Sequence, residues 1–302
     1  MGTALVFAGQ GSQREGMALA WRGARSYARW EEAGDLLGFD VARLGTTASA
    51  DELREPANCQ IALFVHAAVV LESWREAKGA EPVAAAGHSL GEYDALLAAG
   101  VLPFADALRL VDVRARATQA AADAQPGRMV ACLGYEVEAV TQACEAVGAY
   151  VANDNAPGQL VCAGPEEALD ALKQHLAGTG ERGKVVDVAV GAAYHSPHMR
   201  SAVPELSAAL NEARFTDATV PVVANVDAAP HVAASDWPDL LREQVTSPVR
   251  WRESVPALAA QGADQVVELG ASPVLTGMIK RIDRTLDRRV VTTPAELEEV
   301  MQ

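Results

Sequence analysis

Val83-Ala-Ala-Ala-Gly-His-Ser-Leu-Gly-Glu-Tyr93 has the pattern of an apolar strand that turns abruptly into a helix. The turn carries Gly87-His-Ser-Leu-Gly91, a G-x-S-x-G pattern whose two glycines allow a sharp, strained corner between strand and helix. Ser89 would project from that corner at the helix N-terminus, where unpaired backbone amides face an oxygen that becomes negative during acyl transfer. The stretch therefore predicts Ser89 as a nucleophile. A plain glycine-flanked loop is the alternative that the five residues alone leave open.

A second glycine-rich turn lies near the start of the chain. The apolar strand Ala4–Phe7 runs into Ala8-Gly-Gln-Gly-Ser-Gln13, and glycines directly after a strand let backbone amides approach a ligand closely. This turn is a candidate second wall of an oxyanion hole. Its alternative is an ordinary loop between a strand and a helix.

Two histidines follow a predicted strand in Gly191-Ala-Ala-Tyr-His-Ser-Pro-His-Met199. Because imidazole titrates near neutrality, His195 is the candidate general base for a serine hydroxyl, with a structural histidine as the alternative. His195 and His198 make a poor metal pair, since Pro197 interrupts the local helix and no nearby acid or cysteine completes a ligand set. No metal site is expected.

An arginine lies within a helical pattern that starts at Phe104 and continues to Thr118. Apolar residues at helical spacing place Leu108, Val111 and Ala115 on one stripe, and Arg114 falls beside that stripe. A basic residue there either reaches into a buried site or extends from a half-buried face to solvent.

The middle of the chain has a different pattern from its two ends. Strand and helix signals between about residues 127 and 190 follow the order βαββαβ, which is the arrangement of a ferredoxin-like two-layer unit. The expected strands are 128–134, 150–155, 158–164 and 184–190, and the expected helices are 136–147 and 166–177. Strands and helices alternate on either side of it, as in a mostly parallel sheet, with a helix expected over Trp21–Leu37 and a strand over Val220–Asn225. The predicted fold class is α/β: an α/β-hydrolase-like large subdomain (1–124 and 191–302) with an inserted ferredoxin-like small subdomain (125–190). A cleft between the two is the natural ligand site.

Composition narrows the classes of function. The chain has 302 residues, 50% of them hydrophobic, and a formal net charge of −15, which argues against general affinity for nucleic acid or anionic membranes. The four cysteines lie in apolar segments without a C-x-x-C pair, which predicts buried thiols in a reducing compartment. No signal segment and no apolar run of about 18 residues is recognised, so we expect a cytoplasmic protein without a membrane span.

These pieces together resemble the malonyl-CoA:acyl carrier protein transacylases and the related acyltransferase domains of polyketide synthases. The resemblance covers nearly the whole chain. Its motifs are Phe7-Ala-Gly-Gln-Gly-Ser-Gln13 against F-P-G-Q-G-S-Q, Gly87-His-Ser-Leu-Gly-Glu92, the arginine helix Leu110-Val-Asp-Val-Arg114, Tyr194-His-Ser-Pro-His-Met199, Ser247-Pro-Val-Arg-Trp251 against N-P-V-x-W, and Val274-Leu-Thr-Gly277.

The resemblance implies a Ser-linked acyl-enzyme. Ser89 would attack the malonyl thioester of coenzyme A, and His195 would move the proton. The acyl group would then pass to the phosphopantetheine thiol of an acyl carrier protein in fatty acid or polyketide biosynthesis. The resemblance also assigns further roles: oxyanion amides at Gln10 and Leu90, a carboxylate partner at Arg114, pocket neighbours at Gln60 and Tyr194, and a backbone carbonyl near Arg250 that orients the histidine. It implies no cofactor beyond the thioester substrate, and we expect a monomer.

Three residues depart from the family pattern: Ala8 replaces proline, Ser247 replaces asparagine, and Tyr194 replaces a common phenylalanine. Of these, Tyr194 bears on specificity, because its ring should crowd out an α-methyl branch while its hydroxyl leaves room for a polar α-substituent.

Other functions remain open on sequence grounds. A serine thioesterase or acyl hydrolase of the α/β-hydrolase kind shares the nucleophile turn, but it would normally place its histidine later in the chain. A non-catalytic carrier-binding subunit would not need Ser89, His195 and Arg114 together. A discrete acyltransferase of a polyketide assembly line and the malonyl transferase subunit of malonate decarboxylase also fit the motifs.

Overall fold

The computed structural model describes residues 2–180 and 182–302, so Met1 and Glu181 lie outside the described residues. Ten strands are found in this part of the chain: β1 Thr3–Phe7, β2 Pro82–Gly87, β3 Arg128–Leu133, β4 Tyr150–Ala156, β5 Gln159–Gly164, β6 Lys184–Val188, β7 Val222–Val223, β8 Pro230–His231, β9 Gln265–Leu269 and β10 Asp287–Val291. The helices are α1 Ala28–Leu37, α2 Ala42–Thr46, α3 Pro56–Glu76, α4 Gly91–Ala98, α5 Phe104–Ala124, α6 Val137–Val147, α7 Glu166–Gly178, α8 Val203–Glu212, α9 Trp237–Gln244, α10 Trp251–Ala260, α11 Leu275–Ile282 and α12 Pro294–Val300.

The larger sheet has the order β10-β9-β1-β2-β7-β8, and all of its pairs are parallel except β7 with β8. Its central strands are buried on both faces because successive side chains point in opposite directions. Ala85 of β2 joins the principal hydrophobic core, while Ala84 and Ala86 join a second core on the other face. The expected mostly parallel sheet is therefore confirmed.

Helix α3 forms much of the principal core. By length and composition it could cross a membrane, contrary to the expectation that no segment could, but 83% of its most apolar window is buried inside the protein. The apolar stripe predicted on α5 is also confirmed, since Leu108, Val111 and Ala115 are fully buried.

The smaller sheet is antiparallel, with the order β4-β5-β3-β6. Its elements follow the predicted βαββαβ order, and α6 and α7 contribute to a hydrophobic core against one face. Cys132, Cys144 and Cys162 lie in that core and Cys59 lies in the principal core. All four thiols are free and buried, as predicted.

Hydrogen bonds join the small sheet to the rest of the chain beside the cleft. The amide of Asp154 in β4 donates to the Val249 carbonyl, and the Val249 amide donates to Ala152, each over 2.9 Å. Arg252 of α10 forms an ion pair with Asp154, with its Nε 2.9 Å from both carboxylate oxygens. The cleft wall supplied by β4 is thus held against the N-terminus of α10.

Some predicted elements differ from the observed ones. The helix expected over Trp21–Leu37 is a helical turn at Arg25–Tyr27 followed by α1, and the strand expected over Val220–Asn225 is reduced to β7. Pro221 has no N–H for a ladder, and the Ala224 amide bonds across a turn to Ala229 instead. The chain then leaves the sheet before Asn225.

Candidate active site

Ser89 lies in the turn between β2 and α4, as its motif predicts. Its φ of +55° is in the left-handed region, which is strained for a residue with a side chain. A Cβ on Gly87 would come within 1.8 Å of the Gly91 carbonyl oxygen, and one on Gly91 within 2.1 Å of the Phe7 oxygen. Glycine is therefore required on both sides of the serine, and the corner holds its hydroxyl at the cleft.

The serine hydroxyl and His195 form a hydrogen-bonded pair, with Ser89 Oγ 2.7 Å from His195 Nε2. The other ring nitrogen, Nδ1, is 2.9 Å from the main-chain carbonyl of Gln244. Because a carbonyl only accepts, Nδ1 must carry the proton, and Nε2 is left free to accept the serine proton. Burial, together with the nearby charge of Arg114, lowers the pKa of His195 to about 3. The ring is therefore neutral at physiological pH.

The carbonyl that orients the histidine differs from the predicted one. Arg250 was expected to supply it, but the Arg250 carbonyl accepts hydrogen bonds from Ser254, and its side chain pairs with Glu253. The carbonyl belongs to Gln244, the last residue of α9, six positions earlier. A backbone carbonyl has no side-chain signature, so the sequence pattern could not identify it.

Arg114 reaches the serine from α5, and it is only 6% exposed. Its Nη2 donates to Ser89 Oγ over 2.9 Å and to Gln244 Oε1 over 3.2 Å, while Nη1 donates to Gln60 Oε1. Among residues 2–180 and 182–302, no carboxylate lies within ion-pair distance of the guanidinium. A buried positive charge thus faces the nucleophile with only neutral protein partners.

Gln10 and Leu90 line the cleft on either side of the serine. They come together because β1 and β2 are neighbours, with Phe7 opposite Gly87 and the His88 amide donating to Phe7. In the described part of the chain, neither main-chain amide is used in a hydrogen bond to protein. Two free donors therefore border the nucleophile.

Tyr194 also lines the cleft, directly before the histidine. Its hydroxyl is buried and makes no hydrogen bond to any described residue. Burial raises its pKa to about 12, so it is a neutral phenol. The cleft thus contains a buried phenol whose hydroxyl has no partner among the described residues.

The cleft has a volume of about 190 Å³ and is bordered by both sheets. Met129, Val161 and Val188 of the small sheet form an apolar wall, and Val274 and Met278 close the side near α11. His88 Nε2 lies 2.8 Å from Asn155 Oδ1 of β4, which ties the nucleophile turn to the small sheet. An elongated, partly apolar group can therefore reach Ser89 from solvent.

Three buried polar residues near the serine were not predicted: Glu92, Asn225 and Gln244. Glu92 could have been noticed, since it stands in the quoted nucleophile motif, and Asn225 ends a predicted strand at the same sheet edge. Gln244 carries no such signal within α9. Within the described residues, no group of three or more His, Cys, Asp or Glu side chains has the arrangement of a metal site.

Comparison with known proteins gives consistent results. The model of the acyl transferase domain family matches residues 4–296. The malonyl CoA-acyl carrier protein transacylase of Salmonella typhimurium is 37% identical over 306 residues, which cover 99% of this chain and 98% of the relative.

Solved structures are also similar to this chain. The acyl-carrier-protein S-malonyltransferase of Burkholderia pseudomallei 1710b has a TM-score of 0.95 and 36% identity, covering 100% of this chain and 99% of that one. A malonyl-transacylase solved in complex with a type II polyketide synthase acyl-carrier protein has a TM-score of 0.95 and 34% identity, with the same coverage.

Proposed function

Because this chain belongs to the malonyl-CoA:acyl carrier protein transacylase family, within the acyl transferase domain family, we propose that it transfers a malonyl group from coenzyme A to the phosphopantetheine thiol of an acyl carrier protein. The carriers that it serves belong to fatty acid or polyketide biosynthesis. One observation carries the choice of acyl group. Arg114 Nη2 lies 2.9 Å from Ser89 Oγ, and the guanidinium has no carboxylate partner within the described residues. A carboxylated acyl group bound to Ser89 would supply that partner.

The first half-reaction forms the acyl-enzyme. Ser89 Oγ attacks the thioester carbonyl as His195 Nε2 takes its proton, and the free amides of Gln10 and Leu90 bind the resulting oxyanion. When the carbon–sulfur bond breaks, the imidazolium returns the proton to the departing thiolate of coenzyme A. The carbonyl of Gln244 keeps the ring in the required tautomer throughout.

The second half-reaction reverses the roles. His195 takes the proton of the carrier thiol, the thiolate attacks the malonyl ester on Ser89, and the serine oxygen recovers the proton from the imidazolium as it leaves. A neutral imidazole is needed at the start of each half, and this requirement agrees with the lowered pKa of His195.

Ser89→Ala tests the proposed function directly. We expect the wild type to gain one malonyl group on exposure to malonyl-CoA and to lose it on addition of carrier protein. The Ser89→Ala variant should gain none, because no other hydroxyl in the cleft has both a base and free amides beside it. Intact-mass spectrometry measures both steps. A malonyl adduct that forms on the variant at the wild-type rate would exclude this nucleophile.

Substrate roles for Gln60 and Tyr194 belong to the same proposal. Gln60 Oε1 accepts from Arg114 and so holds the guanidinium toward the acyl pocket. The Tyr194 ring narrows the space beside the histidine, which disfavours an α-methyl branch, while its unpartnered hydroxyl can donate to a polar α-substituent.

The finer description of the fold is also a proposal. We place residues 1–124 and 191–302 in a large subdomain of the α/β-hydrolase kind, which agrees with a nucleophile turn following a central strand of a parallel sheet. Residues 125–190 would form the ferredoxin-like small subdomain, in keeping with the βαββαβ order and the antiparallel β4-β5-β3-β6 sheet. We also propose that the protein acts as a monomer and uses no cofactor other than its thioester substrate.

A further inference from the structure

Glu92 is a buried carboxyl that the proposed reaction does not use. It lies three residues after the nucleophile, in the first turn of α4, and is 1% exposed. Its Oε1 accepts from the Asn225 amide over 2.7 Å, and its Oε2 accepts from Gln244 Nε2 over 2.5 Å. Both oxygens therefore hold residues that in turn contact the nucleophile turn.

Asn225 binds the main chain on the near side of Ser89. Its Nδ2 donates to the Gly87 carbonyl over 2.6 Å, and its Oδ1 accepts from the Ser89 amide over 2.7 Å. Strained backbone persists only where its surroundings over-determine it, and Ser89 has a φ of +55°. Asn225 supplies part of that restraint.

Gln244 binds the main chain on the far side and also reaches the other two reactive groups. Its Nε2 donates to the Ser89 carbonyl over 2.9 Å, its Oε1 accepts from Arg114, and its own carbonyl accepts from His195. The orientation of its amide is settled by chemistry, because the Arg114 guanidinium can only donate and the Ser89 main-chain carbonyl can only accept. Turning the amide over would create repulsion at both ends.

The same arrangement carries an electrostatic consequence. Gln244 lies between Arg114 and Glu92, with its oxygen toward the cation and its nitrogen toward the carboxyl. The arginine is thus held in place without being neutralised by direct contact with an acid. Its charge remains available to an acyl carboxylate.

We propose that Glu92 is a positioning residue that acts through Gln244 and Asn225: it holds the Ser89 main chain, the His195 ring and the Arg114 guanidinium in their reactive arrangement while leaving the arginine without a carboxylate of its own. Neither Glu92 nor Gln244 is among the residues that line the cleft. The substrate measurements below rest on the proposed malonyl transfer, and a second probe is independent of it.

The first test is Glu92→Gln, a change of nearly constant volume. A glutamine offers one accepting oxygen where two donors must be satisfied, so its NH₂ would face either the Asn225 amide or the Gln244 amide. We expect the single-turnover rate constant for acylation by malonyl-CoA to fall about 10- to 100-fold, with the KM changed by less than about threefold. The melting temperature identifies any variant that fails to fold.

The independent probe is phenylmethylsulfonyl fluoride, an uncharged reagent that needs no arginine. Ser89 Oγ displaces fluoride from sulfur while His195 takes the proton, so its labelling rate reports on the serine and histidine alone. We expect Glu92→Gln to slow this labelling by at least about tenfold as well.

The second test is Gln244→Glu, which places a carboxylate against Arg114. The arginine would then be neutralised within the protein. The fold decrease in kcat/KM should therefore be at least about ten times larger for malonyl-CoA than for acetyl-CoA. If Gln244 had a merely structural role, kcat/KM would fall by the same factor for both substrates.

Glu298→Gln is the matched control, because it makes the same chemical change at an exposed position on α12. This control should leave three rates unchanged: reaction with malonyl-CoA, reaction with acetyl-CoA and labelling by phenylmethylsulfonyl fluoride. The proposal is overturned if the folded Glu92→Gln variant reacts with malonyl-CoA and with phenylmethylsulfonyl fluoride at wild-type rates. It is also overturned if Gln244→Glu lowers kcat/KM for malonyl-CoA and acetyl-CoA by the same factor. A wild type that takes sulfonyl fluoride but no malonyl group would refute the proposed function, and the sulfonyl labelling of Glu92→Gln would still decide the positioning role.

Discussion

Removal of Arg114 is expected to separate malonyl transfer from acyl transfer in general. Malonyl-CoA brings a carboxylate to the buried guanidinium, whereas acetyl-CoA leaves that charge unpaired in the acyl pocket. In Arg114→Ala we expect kcat/KM for malonyl-CoA to fall roughly ten- to a hundredfold or more, taking the charge-assisted contact as about 1.5–3 kcal/mol. The value for acetyl-CoA should hold steady or rise.

The control for this prediction is Arg116→Ala on the same helix. Arg116 pairs with Asp112, and its side chain is 62% exposed, so neither substrate should be affected. An equal decrease in kcat/KM for malonyl-CoA and acetyl-CoA in Arg114→Ala would instead indicate an arginine that only supports the fold.

Asp94 is a second buried acid on α4, but unlike Glu92 it has no partner. Both of its oxygens lack a hydrogen bond in the described part of the chain, and burial raises its pKa well above the usual value. A carboxyl with a raised native pKa lowers stability as the pH climbs above its unfolded pKa of about 3.9, because the unfolded chain releases the proton more readily. The carboxyl thus destabilises the fold at neutral pH and not at acid pH.

Asp94→Asn should therefore be more stable than the wild type at pH 8, because asparagine does not titrate and so avoids a cost of about 1.4 kcal/mol for each pH unit by which burial raises the pKa of Asp94. The advantage should shrink steadily toward pH 4. Thermal unfolding across this pH range measures it, with exposed Asp35→Asn on α1 as the control. A difference that does not vary with pH would mean that the Asp94 carboxyl does not titrate in this way.

At the level of elements, the join between β4 and α10 determines where the cleft lies. The Arg252–Asp154 ion pair reinforces the two main-chain hydrogen bonds around Val249, and the Asp154 side chain is only 11% exposed. The neighbouring residue Asn155 holds His88, so this join continues directly into the nucleophile turn.

Arg252→Gln should lower the free energy of unfolding by about 1–3 kcal/mol, because it leaves a mostly buried carboxylate without its cation. Chemical denaturation measures this loss. Arg250→Gln is a close control, since the Arg250–Glu253 pair is about 40% exposed on both sides and exposed pairs contribute about 0–1 kcal/mol. Equal effects of the two changes would contradict a special role for the join.

At the level of the whole molecule, positive charge is concentrated beside the cleft in a chain of net charge −15. We call Lys280, Arg281, Arg284, Arg288 and Arg289 the basic patch. It begins on α11, whose earlier residues line the cleft, and continues into β10. Arg281 donates to Gln159 and to the Pro157 carbonyl of the small sheet, whereas Arg284 is exposed.

Charge reversal at Arg284 and Arg288 should raise the KM for an acidic carrier protein several-fold, and the effect should grow at low salt because such attraction is screened by ions. Steady-state transfer assays at two ionic strengths measure it. Arg22→Glu with Arg25→Glu changes the net charge equally at exposed positions outside the patch. A KM that is unchanged at both salt concentrations would leave the patch as a solvated surface.

The features of this protein that the sequence alone could predict are those determined by interactions between residues close together in the chain. The glycines around Ser89 are required by contacts within their own turn and with the next strand, and the apolar stripe of α5 follows from helical spacing. Strand and helix boundaries of the small subdomain agree with the predicted ones within about two residues, because turn residues punctuate that region. The family motifs then indicated Ser89, His195 and Arg114, and the resemblance as a whole added Gln60; the structure brings these four residues together.

Only the tertiary structure decided how those groups are supported. The carbonyl that orients His195 comes from Gln244 and not from Arg250, because the path of the chain after α9 determines which carbonyl faces the ring. Asn225 leaves its predicted strand to bind the nucleophile turn, and Glu92 connects it with Gln244 across more than 130 residues of sequence. Such contacts depend on which sheet edge and which helix end come together in the folded protein. Local residue spacing and composition do not determine this, because the contacting residues are far apart in the sequence.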